Sequence, residues 1–139
     1  MLEFWKDMFK AKDIMKTDVV SVKIDTPIYD AIRTMVENNI TGVPVVNDDM
    51  TLAGIISEKD VLQLLYDCRD LQEKDSGHGK VGDFMTKDVV SFDQEENLLS
   101  VCNCLMKKHF RRVPVVSDGK LAGIITRKDL IKYILDPIG

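Results

Sequence analysis

The sequence predicts a mixed α/β (α+β) protein built from two tandem β-α-β-β-α repeats, because three short blocks occur twice in the same order. They are DVVS (18–21 and 88–91), VPVV (43–46 and 113–116) and LAGII (52–56 and 121–125). Between the first two blocks of each copy, apolar residues recur with helical periodicity. A copy of roughly 50 residues buries too little surface to be stable alone. We therefore expect the two copies to pack around a pseudo-twofold axis.

Each element of the repeat has a local signal. The β-branched run Val19–Val22 predicts a short strand, and Thr26 followed by Pro27 predicts a helix N-cap and first helical residue. The helix shows an apolar stripe that we expect to be buried, and the second copy repeats it. The stripe residues are Ile28, Ala31, Ile32, Met35 and Val36 in the first copy and Leu98, Val101, Cys102, Leu105 and Met106 in the second.

The remaining blocks complete the unit. VPVV predicts a buried strand. Its proline is expected at a position where no backbone N–H has to pair with a neighbouring strand. LAGII predicts the next strand after a turn at 48–49 or 118–119. The second helices are predicted at Glu58–Tyr66 and Arg127–Leu135.

The repeat divides the chain into four segments. An N-terminal helix is predicted at 1–12, with Leu2, Trp5 and Phe9 on one side. The first repeat then covers 13–66 and the second covers 81–139. The polar segment 67–80 between them contains two glycines, which is typical of a linker.

Charge and composition exclude several classes of protein. A net charge of -4 and a pI of about 5.2 argue against nucleic-acid binding, which needs a basic face. No apolar run approaches the roughly 18 residues of a membrane span, and the N-terminus lacks the features of a secretory signal, so no membrane association is expected. Three cysteines without framework spacing predict a reducing, cytoplasmic location.

The sequence does not favour a metal site or an enzyme. Cys102 and Cys104 are two residues apart on a predicted helix and therefore point in different directions, so they and His109 are not expected to bind a metal. The register predicts Cys102 inside the buried stripe and Cys104 outside it. No nucleophile stands beside a recognisable base, so we expect no catalytic activity and no required cofactor.

One motif leaves two interpretations open. Ser57 and Thr126 each end a strand where a helix starts, and Asp60 and Asp129 follow three residues later. The pairs are typical of a capping box, which explains both residues structurally. The same geometry suits a nucleotide, because a helix N-terminus attracts phosphate and a carboxylate accepts from ribose hydroxyls.

The doubled pattern resembles a tandem pair of CBS domains, the module named after cystathionine beta-synthase. The matching residues are DIM (13–15), DFM (83–85), both VPVV blocks and both G-I-I-[ST]-x-x-D blocks, and the resemblance covers about Lys12 to Leu135. It implies a compact module with two clefts that bind adenosine compounds such as AMP, ADP, ATP or S-adenosylmethionine. It also implies regulation of a partner protein and assembly into a homodimer.

The resemblance assigns binding residues to both clefts. In the second, Thr126 and Asp129 would contact phosphate and ribose, and in the first, Ser57 and Asp60. The adenine would lie against the backbone at Asp18 and Val19 or at Asp88 and Val89, and against the segment before VPVV. That segment comprises Thr41, Gly42, Val43 and Pro44 in the first copy and Arg111, Arg112, Val113 and Pro114 in the second.

The two copies differ in charge beside the motif. Arg127 follows Thr126, whereas Glu58 follows Ser57. Because Arg127 attracts phosphate and Glu58 repels it, we expect that the second cleft binds the more phosphorylated ligand, or that it alone binds a ligand. The main alternative is a structural homodimerisation module with empty clefts. A third hypothesis is that the chain is a regulatory module that acts in trans on an enzyme such as a dehydrogenase, or on a transporter.

Overall fold

The computed structural model describes residues 9–67, 79–107 and 110–135, without the side chain at 134. The strand-helix-strand-strand-helix order is confirmed in both repeats, and a one-turn helix precedes each. The elements are α1 (Ala11–Ile14), β1 (Val22–Lys23), α2 (Ile28–Asn38), β2 (Gly42–Val46), β3 (Leu52–Ser57), α3 (Glu58–Asp67), α4 (Val81–Phe84), β4 (Phe92–Asp93), α5 (Leu98–Leu105), β5 (Arg112–Ser117), β6 (Lys120–Thr126) and α6 (Arg127–Leu135). The predictions for Leu2, Trp5 and His109 lie outside the described residues, as do Cys68 and His78 in the 67–80 linker.

The strands form two three-stranded sheets, in the orders β1-β2-β3 and β4-β5-β6. In the first sheet β2 runs parallel to β1 and antiparallel to β3. All five residues of β2 are buried, as expected for a middle strand without a polar face. Pro44 is tolerated there because β1 pairs only with Val45 and Val46.

The chain forms two compact units that do not coincide with the repeats. Unit 1 comprises Met1–Val19 and Val90–Gly139, and unit 2 comprises Val20–Val89. The segment before each first strand therefore belongs with the other repeat's sheet. The packing of the repeats around a pseudo-twofold axis and their exact limits stay predictions.

Backbone hydrogen bonds attach the segments before β1 and β4, residues 10–19 and 80–89, to the sheets. We call them the exchanged segments, because each docks on the sheet of the other repeat. Lys16 exchanges two bonds with Ile124 of β6, at 2.9 and 3.0 Å, and Thr86 exchanges two with Ile55 of β3, at 2.8 and 3.0 Å. Each sheet is thereby extended at one edge by an isolated β-bridge, from Lys16 to β6 and from Thr86 to β3. The docking requires the glycine before each partner residue. A Cβ on Gly123 would lie 2.7 Å from the Lys16 carbonyl oxygen, and one on Gly54 would lie 2.5 Å from the Thr86 carbonyl oxygen.

Two local predictions were wrong at the start of the first repeat. The strand predicted at Val19–Val22 begins only at Val22, where pairing with β2 starts. Thr26 does not cap α2, since its hydroxyl accepts a hydrogen bond from the Lys23 backbone at 3.0 Å within a turn. The N-cap residue of α2 is Pro27.

The buried face of the first helices is narrower than predicted. In α2 the residues Ile28, Ala31 and Met35 are buried, whereas Val36 is 74% exposed. Its counterpart at the end of α5, Met106, is 75% exposed. These two residues were predicted to be buried, and the prediction was wrong because the helices contact their sheets along a narrower stripe.

The burial of the two cysteines is the reverse of the prediction. Cys104 is 8% exposed and belongs to the core of unit 1, while Cys102 is half-buried. Burial raises the pKa of the Cys104 thiol, which disfavours the reactive thiolate.

Within the described ranges, no helix combines the length and the apolar character that a membrane crossing requires.

Candidate functional site

Thr126 and Asp129 form a reciprocal cap at the start of α6. The Asp129 Oδ2 accepts from the Thr126 backbone N–H at 2.9 Å, and the Asp129 N–H donates to the Thr126 hydroxyl at 3.2 Å. Ser57 and Asp60 repeat this at α3, at 2.9 and 3.3 Å. The capping geometry is therefore present in both copies, and it fixes hydroxyl and carboxylate side by side at a helix N-terminus.

The second oxygen of each aspartate contacts the exchanged segment. The Lys16 ammonium lies 3.4 Å from Asp129 Oδ1, and the Thr86 hydroxyl donates to Asp60 Oδ1 at 3.0 Å. Asp129 is 8% exposed, and it is the only charged residue among those the structure describes that is buried to this degree. Neither Lys16 nor Thr86 was predicted, although both directly follow the methionine of the matching DIM and DFM blocks.

The strands bring the segment before VPVV to the same helix ends. In β5, Arg112 is the direct partner of Thr126, and in β2, Gly42 is the partner of Ser57. Arg111 and Thr41 precede these positions and are exposed. Val43, Pro44, Val113 and Pro114 are buried in the middle strands, so they offer backbone and apolar walls more than exposed side chains.

The compact units resolve which segments belong together, a choice that the sequence left open. Asp18 and Val19 lie in unit 1 with Thr126 and Asp129, while Asp88 and Val89 lie in unit 2. The unit 1 set comprises Asp18, Val19, Arg111, Arg112, Val113, Pro114, Thr126, Arg127 and Asp129. The unit 2 set comprises Asp88, Val89, Thr41, Gly42, Val43, Pro44, Ser57 and Asp60.

Arg127 has a structural partner that the sequence did not suggest. Its Nε donates to the Leu105 carbonyl at 2.7 Å and its Nη2 donates to the Lys107 carbonyl, so the guanidinium satisfies the C-terminal end of α5. In unit 2 the corresponding helix ends differently, with Asn39 in the left-handed conformation (φ 52°). Arg127 and Glu58 therefore differ in their contribution to helix capping as well as in their charge.

Unit 2 also contains an open pocket of about 360 Å³ between α2 and the start of α3. It is lined by Ile32, Met35, Val36, Asn39, Ile40, Thr41, Glu58 and Val61. Thr41 is the one residue of the predicted unit 2 set on this wall. The pocket therefore adjoins the candidate cleft but is distinct from the Ser57–Asp60 pair.

Among the described residues, no group of three or more histidine, cysteine, aspartate or glutamate side chains is arranged to hold a metal ion. This structural finding concerns only residues 9–67, 79–107 and 110–135.

A comparison with protein-family models matches the CBS domain twice, at residues 11–67 and 81–136. The chain is 37% identical over 123 residues to the uncharacterized protein MJ1225 of Methanocaldococcus jannaschii, which covers 88% of this chain and 42% of that protein. It is 33% identical over 144 residues to CBSX1, a chloroplastic CBS domain-containing protein of Arabidopsis thaliana, covering 86% of this chain and 61% of that protein. The chain thus spans about half the length of these curated relatives.

A solved structure with the same fold contains a nucleotide. The crystal structure of CBSX2 in complex with AMP matches with a TM-score of 0.79 and 33% identity. The match covers 93% of this chain and 98% of that one.

Proposed function

The chain belongs to the CBS-domain family, and from this premise we propose that it is a non-catalytic regulatory module that binds an adenosine nucleotide. The observation that carries the proposal is the Asp129 carboxylate, which is held almost fully buried beside the Thr126 hydroxyl at the start of α6. Burial of a carboxylate is costly unless charged or hydrogen-bonding partners compensate it, and the Thr126 backbone N–H and the Lys16 ammonium do so here. Ribose hydroxyls would donate further hydrogen bonds to the same carboxylate.

The geometry at the start of α6 suits both ends of a nucleotide. Asp129 accepts from the two ribose hydroxyls, while the Thr126 hydroxyl and the helix N-terminus receive the phosphate. Lys16 and Arg112 add positive charge to the same place. The AMP bound by CBSX2 supports this choice of ligand class.

The adenine would lie in an apolar slot formed by backbone. In unit 1 we assign this slot to Asp18 and Val19 together with the segment Arg111–Pro114. In unit 2 the matching slot comprises Asp88 and Val89 together with Thr41–Pro44, and Ser57 and Asp60 take the roles of Thr126 and Asp129. Ligand binding would change the arrangement of the module and thereby a partner protein in the cytoplasm.

Thermal melting with AMP, ADP, ATP and S-adenosylmethionine, each added separately, tests the ligand class. A ligand at about 100 times its dissociation constant stabilises the native state by about 2.7 kcal/mol. For a domain of this size we expect the melting temperature to rise by several degrees. Guanosine nucleotides at the same concentration are the control for unspecific effects, and absence of a shift with every adenosine compound would contradict the proposal.

We also propose that the protein is a homodimer, because both units expose apolar residues at equivalent positions. The pairs are Tyr29 and Leu99, Val36 and Met106, Leu62 and Ile131, and Tyr66 and Leu135, all at least 45% exposed. Scattered exposed apolar residues are ordinary, but here the same four positions are apolar and exposed in both repeats. The pocket beside Val36 would receive side chains of the second copy.

Aspartate at Leu62 and Ile131 together is expected to convert the dimer to a monomer, since it places two charges in an interface core that excludes them. Sedimentation velocity measures the change. The double variant Lys59→Asp with Lys128→Asp, on the same two helices, is the control and should remain dimeric. A wild-type protein that sediments as a monomer would contradict the assembly.

The alternative function is a structural dimerisation module whose clefts stay empty. The capping hydrogen bonds favour it, because they satisfy Ser57, Asp60, Thr126 and Asp129 without any ligand. A regulatory switch requires that the ligand bind two states with different affinity. Small-angle scattering with and without AMP separates the two functions: a change of shape supports the switch, and an unchanged shape supports the structural module.

A further inference from the structure

A lysine and a threonine occur in opposite order in the two exchanged segments. The first copy reads Lys16-Thr17 before DVV, and the second reads Thr86-Lys87 before DVV. We propose that this transposition sets the charge preference of the two candidate clefts. The inference rests on the proposed function: the unit 1 cleft selects adenosine compounds with an anionic tail, and the unit 2 cleft accepts those without one.

Both segments approach the motif aspartate in the same way. Lys16 is fixed by its two backbone bonds to Ile124, which precedes Thr126 by two residues, and Thr86 is fixed by the equivalent bonds to Ile55. From these anchors the Lys16 ammonium reaches Asp129 at 3.4 Å, and the Thr86 hydroxyl reaches both Asp60 oxygens at 3.0 and 3.4 Å. The first residue of each pair therefore faces the carboxylate.

The second residue of each pair is expected to face elsewhere. Successive side chains of an extended segment point to opposite sides. Since Thr86 contacts Asp60, we expect Lys87 to leave the segment on the far side, away from the Ser57–Asp60 pair. Unit 2 then contains the same two residue types as unit 1, with its lysine directed away from the candidate cleft.

Lys16 is suited to a ligand's phosphates because it is exposed as well as charged. Its side chain is 61% exposed, whereas that of Asp129 is 7% exposed. When ribose hydroxyls occupy the Asp129 carboxylate, the exposed ammonium would pair instead with a phosphate oxygen near the Thr126 hydroxyl. Arg112, the strand partner of Thr126, reinforces the positive potential.

The unit 2 cleft has the opposite balance of charge, with fewer positive groups beside its motif aspartate. A threonine hydroxyl stands in place of the ammonium, and Glu58 follows Ser57 directly in the chain. A phosphate at the start of α3 would meet this carboxylate without a counterpart of Lys16 to offset it. An adenosine compound with a neutral or positively charged 5′ group avoids that repulsion.

The experiment exchanges the two residues without changing composition or net charge. In an Asp60→Ala background, which leaves unit 1 as the intact cleft, the double substitution Lys16→Thr with Thr17→Lys is titrated calorimetrically with ATP, AMP and adenosine. We expect ATP affinity to fall about tenfold and adenosine affinity to change less than about twofold, because only the charge pair is lost. The difference should shrink as salt is added.

The reverse exchange provides an independent second variant. Thr86→Lys with Lys87→Thr, in an Asp129→Ala background, is expected to raise the ATP affinity of the unit 2 cleft by about five- to tenfold relative to adenosine. Melting without ligand verifies that each variant is folded. If the first exchange unfolds the protein, the ratio of ATP to adenosine affinity in this second variant tests the inference. Raised ATP preference supports the inference.

Two negative results have different meanings. If the wild-type protein binds none of the three compounds, the proposed function itself fails. If it binds AMP or ATP, but the exchanges leave the ratio of ATP to adenosine affinity unchanged, the role of Lys16 is overturned while the proposed function stands.

Discussion

Replacing Asp129 by alanine is expected to weaken AMP binding by about 100-fold, since hydrogen bonds to a charged group contribute roughly 1.5–3 kcal/mol. The carboxylate is the one group at the start of α6 that can accept from both ribose hydroxyls. Its near-complete burial strengthens these bonds because little water competes there. Isothermal titration calorimetry of the variant against wild type measures the loss.

The same substitution removes a helix cap, which costs about 1 kcal/mol of stability on its own. Asp13→Ala is the matched control, because Asp13 Oδ2 accepts from the Lys10 backbone at 2.7 Å with the same three-residue spacing in the same unit. Asp13 is not part of the candidate cleft, so this variant should lose stability and keep AMP affinity. Asp129→Asn, which retains an acceptor but not the charge, should fall between the two. Wild-type affinity in Asp129→Ala would remove this residue from the site.

Alanine at Gly123 or at Gly54 is expected to destabilise the protein by about 1–3 kcal/mol, the usual cost of overpacking. The added Cβ would meet the backbone carbonyl of Lys16 or Thr86, which no side-chain rotation can relieve. The exchanged segment must then move, and its two backbone hydrogen bonds to the sheet are strained. Chemical denaturation monitored by circular dichroism gives the change in the free energy of unfolding.

Gly119→Asn is the control for these glycine variants. Nothing lies within 4 Å of a Cβ at this position, and asparagine tolerates its positive φ of 79°. It should change the free energy of unfolding by less than about 0.5 kcal/mol. Equal stability of Gly123→Ala and wild type would show that the segment at Lys16 is not docked as described.

Much of the fold could be predicted from the sequence because its signals are local. The duplicated blocks predicted two β-α-β-β-α repeats, and the strands at VPVV and LAGII and the helices after them lie where they were expected. The pairs Ser57–Asp60 and Thr126–Asp129 were also recognisable, since a capping box involves residues only three apart. Such features depend on residues that are close together in the sequence, so a short stretch of sequence is enough to predict them.

Other wrong predictions depend on contacts between residues that are distant in the sequence. Val36 and Met106 belong to apolar stripes, yet they are exposed because each helix meets its sheet on a narrower face. The sequence also did not suggest that Arg127 caps α5, because the carbonyl groups it contacts belong to residues about twenty positions earlier. Its role toward phosphate stays a prediction.

The sequence by itself determined that the protein is a duplicated α/β module of the CBS-domain family, with a hydroxyl and a carboxylate at two helix starts. Only the tertiary structure decided which segments surround them. It placed Lys16 against Asp129 and Thr86 against Asp60, because each segment docks on the other repeat's sheet through a glycine that leaves room for its backbone. Local patterns cannot encode that exchange, since its energy comes from hydrogen bonds and packing between residues that are far apart in the chain.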